Sequence, residues 1–105
     1  MLFRSKRTKL VSRGWKVGDA KEFLDLSPEE AALIELRLKL AEGLKARRVR
    51  KRLTQIELAE AVQSSQSRVA KMESGDPTVS IDLLMRSLIA LGASRRDLAE
   101  IIAPR

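Results

Sequence analysis

The side chains best equipped for chemistry stand in the stretch from Thr54 to Gly75. Within Gln66-Ser67-Arg68-Val69-Ala70-Lys71-Met72-Glu73, the apolar Val69 and Met72 lie three apart. At about 100° per residue that spacing defines the buried side of a helix. Ser67, Ala70 and Lys71 then point away from the core, flanked by Gln66 and Arg68. The outward face is small, positive and rich in hydrogen-bonding groups, and it has no acid before Glu73. Those properties suit a helix that enters a major groove, where an acid would be repelled by the phosphates. A plain solvated face is the competing reading.

Other chemistry is excluded by what is missing. The 105 residues include no His, no Cys and no Tyr. No Ser-His-Asp triad, thiolate nucleophile or imidazole base can be assembled. A usual structural zinc site lacks its ligands, so no metal and no cofactor is expected. Disulfides are impossible, and a reducing cytoplasm suits such a chain. Apolar stretches such as Leu88-Ile89-Ala90-Leu91 fall far short of the ~20 residues of a membrane span. The Asp and Glu residues are scattered at caps and exposed faces, and no pair stands out as an acid and base. An enzyme is the poorest reading.

Charge points to the partner. Lys plus Arg number 21 against 14 Asp plus Glu, a net charge of +7 that favours a polyanion. The cations fall in two groups. Arg4, Lys6, Arg7, Lys9, Arg13 and Lys16 precede the first acid, and Lys45, Arg47, Arg48, Arg50, Lys51 and Arg52 crowd into eight positions. The first group, with little apolar periodicity, makes residues 1–13 a mobile basic arm. The second sits where cations also suit the negative end of a helix dipole.

The elements that must position these side chains are helices. A single domain over residues 14–105 is expected, with 44% hydrophobic residues supplying one modest core. Asp19 with Glu22 makes a capping box for a short helix carrying Phe23 and Leu24, after Trp15 and Val17 open the ordered chain. Ser27, Pro28 and Glu30 open a long helix to about Lys51, with Leu33, Leu36, Leu40 and Leu44 as its apolar stripe. Thr54 and Glu57 box a helix ending near Val62; Ser65 caps one ending at Gly75. Ser80 caps a fourth through Leu91, closed by Gly92, and Ser94 with Asp97 opens a last one carrying Leu98, Ile101 and Ile102. No strand signal stands out. The expected fold is all-α, a small bundle of five to six helices with the motif at residues 54–75.

The pair of helices between Thr54 and Gly75 is joined by a turn too short for a comfortable antiparallel hairpin, which matches a helix-turn-helix. Leu53-Thr54-Gln55-Ile56-Glu57-Leu58-Ala59, followed by Ser65-Gln66-Ser67-Arg68-Val69-Ala70-Lys71-Met72-Glu73-Ser74-Gly75, resembles the signature of the phage Cro/repressor (Xre) helix-turn-helix family over roughly residues 44–102. The run from Gly18 to Glu30 is similar to the extension of HigA-like antitoxins. The first resemblance implies a lambda-repressor-like DNA-binding domain. It also implies roles: base contacts from Ser65, Gln66, Ser67 and Lys71, and phosphate contacts from Gln55, Arg68, Arg48 and Arg50. Gln suits the N6 and N7 of adenine, Lys the O6 and N7 of guanine. The chain departs from the pattern at Gln63 and Arg52, where the family usually has Gly, and at Arg47, commonly a core Leu.

The leading expectation is thus a homodimeric, cytoplasmic regulator of double-stranded DNA, a repressor able to act on its own operon. Leu98, Ile101 and Ile102 are the candidate dimer interface, with packing into the monomer core as the alternative. A second expectation follows from the extension: an antitoxin whose acidic 19–35 segment, with Trp15, Phe23 and Leu24, covers a small basic toxin. RNA recognition ranks third, because the recognition helix carries no aromatic side chain on which bases stack.

Overall fold

The computed structural model describes residues 26–103. The basic arm at 1–13, Trp15 and the helix expected after Asp19 lie outside them. The described residues form five helices: α1 (Pro28–Arg50), α2 (Gln55–Ala61), α3 (Gln66–Ser74), α4 (Ile81–Ala90) and α5 (Arg95–Ile102). They contain no strand. The fold is all-α, as composition and capping signals require.

Two compact units divide the chain, one ending at Leu36 and the other beginning at Arg37. In the first, Ser27 and Glu30 form the expected reciprocal box: Glu30 N donates to Ser27 Oγ at 3.1 Å and Ser27 N to Glu30 Oε1 at 3.4 Å. Here Ala31 and Ile34 are buried, whereas Leu33 is 47% exposed. The stripe of leucines expected from Leu33 onward is therefore wrong at its first member. Ala31 and Ile34, three apart, are an equally helical pair, and periodicity alone does not choose between the two phases.

The second unit holds the core. Leu40 and Leu44 from α1 meet Leu58 and Ala59 from α2, Val69 and Met72 from α3, Leu84 and Leu88 from α4 and Leu98 from α5. Leu44, Leu58, Val69, Met72, Leu84 and Leu88 are fully buried. Truncating one of these leucines to Ala would cost about 2–5 kcal/mol. The polar residue Ser87 is buried in this core, and its hydroxyl donates to the Leu83 carbonyl at 2.9 Å.

Helix ends follow one rule. The carboxyl ends of α1 to α4 all close with a paired set of bonds, one from the left-handed residue and one from its successor. Arg52 N and Leu53 N donate to Val49 O and Arg48 O; Gln63 N and Ser64 N donate to Glu60 O and Ala59 O. Gly75 and Gly92 take the same position after α3 and α4, with φ of 72° and 89°. At Arg52 and Gln63 non-glycine residues adopt φ of 58° and 55°. The substitutions seen in the sequence thus leave the geometry unchanged, at a backbone cost of about 1–2 kcal/mol each.

Candidate nucleic-acid interface

Helix α3 is pinned at both ends by local chemistry. Ser65 takes extended backbone angles and its Oγ accepts from Arg68 N at 3.1 Å. Gly75 closes the other end in the left-handed region, where a Cβ would come within 2.7 Å of Leu38 Cδ2. Val69 and Met72 are buried, so rotation of α3 about its axis is fixed. Gln66, Ser67, Arg68 and Lys71 are all exposed. The turn before α3 needs only Val62 to Ser65, and α2 and α3 pack directly on one another.

A polar network behind that face orients its first residue. Glu73, with a side chain only 4% exposed, receives Arg48 from α1 through two bonds: Arg48 Nε to Oε2 and Arg48 Nη2 to Oε1 at 3.1 Å. Arg48 Nη1 also donates to the Leu53 carbonyl at 2.8 Å, tying α1 to the start of α2. The hydrogen bond to Glu73 raises the Arg48 guanidinium above its ordinary range, against the opposing effect of burial. Glu73 Oε1 accepts a third bond, from Gln55 Nε2 at 3.0 Å.

The orientation of Gln55 follows from the carboxylate. An ionised carboxylate only accepts, so the amide nitrogen of Gln55 must face Glu73. Its oxygen is then turned toward α3, where it accepts from Gln66 Nε2 at 2.7 Å. One N–H and the carbonyl oxygen of Gln66 remain unused in these bonds. That is the donor and acceptor pair that the N6 and N7 of adenine require. Gln55 likewise keeps one N–H, at the amino end of a helix whose first amides favour an anion.

A second feature flanks the same helix. Ser65, Ser67, Arg68 and Lys71 line a cleft of about 340 Å³ whose other wall is Thr78 and Val79. The segment after α3 is shaped by Asp76, whose Oδ1 accepts from Thr78 N at 2.8 Å. From α1, Arg37 Nε donates to the Val79 carbonyl at 2.9 Å.

The expected site residues therefore separate into groups. Ser65, Ser67, Arg68 and Lys71 share one cleft, and Gln55 and Gln66 are joined by a hydrogen bond. Arg48 stands behind them with its guanidinium engaged by Glu73 and Leu53. Arg50 lies elsewhere, in a cleft of about 660 Å³ with Lys39, Glu42, Asp97 and Glu100. Arg47 pairs with Asp97 at 3.1 Å, while its Nε is buried with no hydrogen-bond partner. Leu98 belongs to the core, and Ile101 and Ile102 are half-buried against it.

Sequence reasoning missed Glu73, Arg37, Thr78 and Val79. Glu73 lies seven residues after Gln66, hence on the same helical stripe, and that spacing was the available signal. Nothing local marked Arg37, whose partner is 42 residues away.

Among the described residues no acidic, His or Cys cluster is suited to hold a metal ion, and no helix is long and apolar enough to cross a membrane. A family model described as helix-turn-helix matches residues 44–98, which excludes the 18–30 stretch likened to an antitoxin extension. No curated protein and no solved structure matches the chain.

Proposed function

The chain belongs to the Cro/C1-type helix-turn-helix family of DNA-binding regulators, and on that premise we propose that it reads a specific double-stranded sequence through α3 and acts as a dimeric repressor, able to control its own operon. The observation that carries the reading is the chain of bonds Arg48–Glu73–Gln55–Gln66, which fixes an amide on the exposed face of α3. A surface glutamine with no such support samples many rotamers, and ordering it on binding costs about 0.5–1.5 kcal/mol. Held in advance, Gln66 presents one donor and one acceptor in a fixed plane.

In this reading Gln66, Ser67, Lys71 and Ser65 face base edges. Lys71 supplies a cation for guanine O6 and N7, and the two serine hydroxyls adapt to either donors or acceptors. Gln55 and Arg68 hold backbone phosphates and set the register. Arg48 acts through Glu73 and Gln55, as a positioning residue. Arg50 adds only long-range charge from its separate cleft. Two-fold pairing through the exposed edges of Ile101 and Ile102 would set two α3 helices on half-sites about 34 Å apart.

The test is equilibrium binding to the DNA upstream of the gene, against a scrambled duplex, in a salt series. The reading expects a discriminating complex whose preference collapses in Gln66→Ala and Lys71→Ala. Equal, weak binding to both duplexes would overturn it and favour a protein partner instead.

A further inference from the structure

Lys51, Arg52, Arg95 and Arg96 lie outside the helix-turn-helix face and are not used by it. Arg95 and Arg96 occupy the first turn of α5, and both are exposed. That is the end of a helix where the dipole is positive, so a cation there is disfavoured. Neither arginine forms an ion pair with Asp97 or with Glu100, one turn further along α5. Asp97 is committed to the Ser94 capping box and to Arg47. Its carboxyl is held below the usual carboxylate range first by the Ser94 backbone N–H and hydroxyl, with Arg47 adding to them.

Lys51 and Arg52 approach from another element. Both are exposed, directly after the last turn of α1. The Lys51 ammonium lies over the turn between α4 and α5: a Cβ placed on Gly92 would be 3.9 Å from its Nζ. That turn runs on within three residues to Arg95. Lys51, Arg52, Arg95 and Arg96 make no ion pair or side-chain hydrogen bond among the described residues. Arg52 stands two residues before Thr54, the N-cap of α2, and so joins this surface to the start of the helix that carries Gln55.

We propose that Lys51, Arg52, Arg95 and Arg96 form a second phosphate-binding surface, which holds the DNA backbone beyond the bases that α3 covers. The inference rests on the DNA-binding reading and adds a footprint to it. Arg95 and Arg96 stand against a helix dipole, and none of the four cations is held in an ion pair among the described residues, so their charge is available for a polyanion. Contacts of this kind carry no sequence information; they raise affinity for all duplexes alike and steepen the dependence on salt.

The experiment compares salt slopes for the full chain on its upstream duplex and on a scrambled one. Arg95→Gln with Arg96→Gln is expected to lower the slope of log K against log salt by about 1.8, at about 0.9 per phosphate. At 0.1 M salt that corresponds to about 60-fold weaker binding, equal on both duplexes. Lys51→Gln alone should lower the slope by about half as much. A control that removes the same charge elsewhere, Lys45→Gln with Arg86→Gln, should leave the slope unchanged. Arg95→Glu with Arg96→Glu guards against a folding artefact. Acids suit the first turn of α5, so its thermal midpoint should be no lower than that of the wild type while its binding falls further. An unchanged slope in the Gln pair, or an equal fall in the control, overturns the proposal and leaves the α3 reading intact if the wild type still discriminates. Absence of any duplex binding by the wild type overturns both.

Discussion

Glu73→Gln is the sharpest test of the network that orients α3. The carboxylate accepts from three donors: Arg48 Nε, Arg48 Nη2 and Gln55 Nε2. An amide of the same shape has one oxygen and one nitrogen, so whichever way it turns, its NH₂ meets a donor. The Arg48 side chain is 13% exposed and loses its counter-charge. Breaking one side of a buried pair costs about 3–5 kcal/mol, and the lower end applies here because Arg48 keeps the Leu53 carbonyl. A loss of about 3 kcal/mol corresponds to a fall of roughly 12–24 °C in thermal midpoint for a domain of this size.

Replacing both partners changes the sign of the argument. Arg48→Met with Glu73→Leu removes the buried charges together, and such exchanges are often neutral or stabilising. The double variant is therefore expected within about 1 kcal/mol of the wild type, leaving a coupling of several kcal/mol in the double-mutant cycle. It also leaves Gln55 without the carboxylate that fixes its amide. Urea denaturation should thus report a folded protein while discrimination between upstream and scrambled DNA is reduced. A Glu73→Gln variant that loses less than about 1 kcal/mol would refute the energetic reasoning. A stable double variant that reads DNA as well as the wild type would refute the role given to the network.

The remaining tests address single residues. Gln63→Gly relieves a left-handed non-glycine residue and should raise stability by up to about 1 kcal/mol in urea titration without altering DNA binding, whereas Gly75→Ala meets both φ of 72° and Leu38 and should destabilise. Arg47→Met removes a buried N–H that has no partner and gives up only a partly exposed pair with Asp97; a gain of about 1 kcal/mol is expected, and a clear loss would show that the pair matters more than the orphaned nitrogen. Asp97 has its carboxyl held down mainly by Ser94, so its contribution is present above the unfolded carboxylate range and is lost as pH falls through the lowered folded value; Asp97→Asn should flatten the acid limb of a stability-against-pH curve.

Sequence reasoning succeeded where structure is made by neighbours and failed where it is made by distance. The caps at Ser27, Thr54, Ser65, Ser80 and Ser94 are all present, because a cap needs only a hydroxyl and an amide two or three residues apart. The outward face of α3 was legible from Val69 and Met72 for a similar reason: one period of a helix fixes the rest. Arg48 and Leu98 show the limit. Arg48 sits among six cations in eight positions, and its commitment to Glu73 depends on how the end of α1 is turned toward a residue 25 positions away. Leu98 was readable as core or as interface, and its place in the core follows from packing with α1 to α4 rather than from α5 itself. The same contrast separates the cations by use. Those tied to distant partners, Arg37 and Arg48, hold backbone segments in place, while Arg68 and Lys71 line the cleft beside α3 with no ion pair among the described residues. A charge count treats all of them alike, although a cation committed to a buried carboxylate and one left exposed are not equally available to a polyanion.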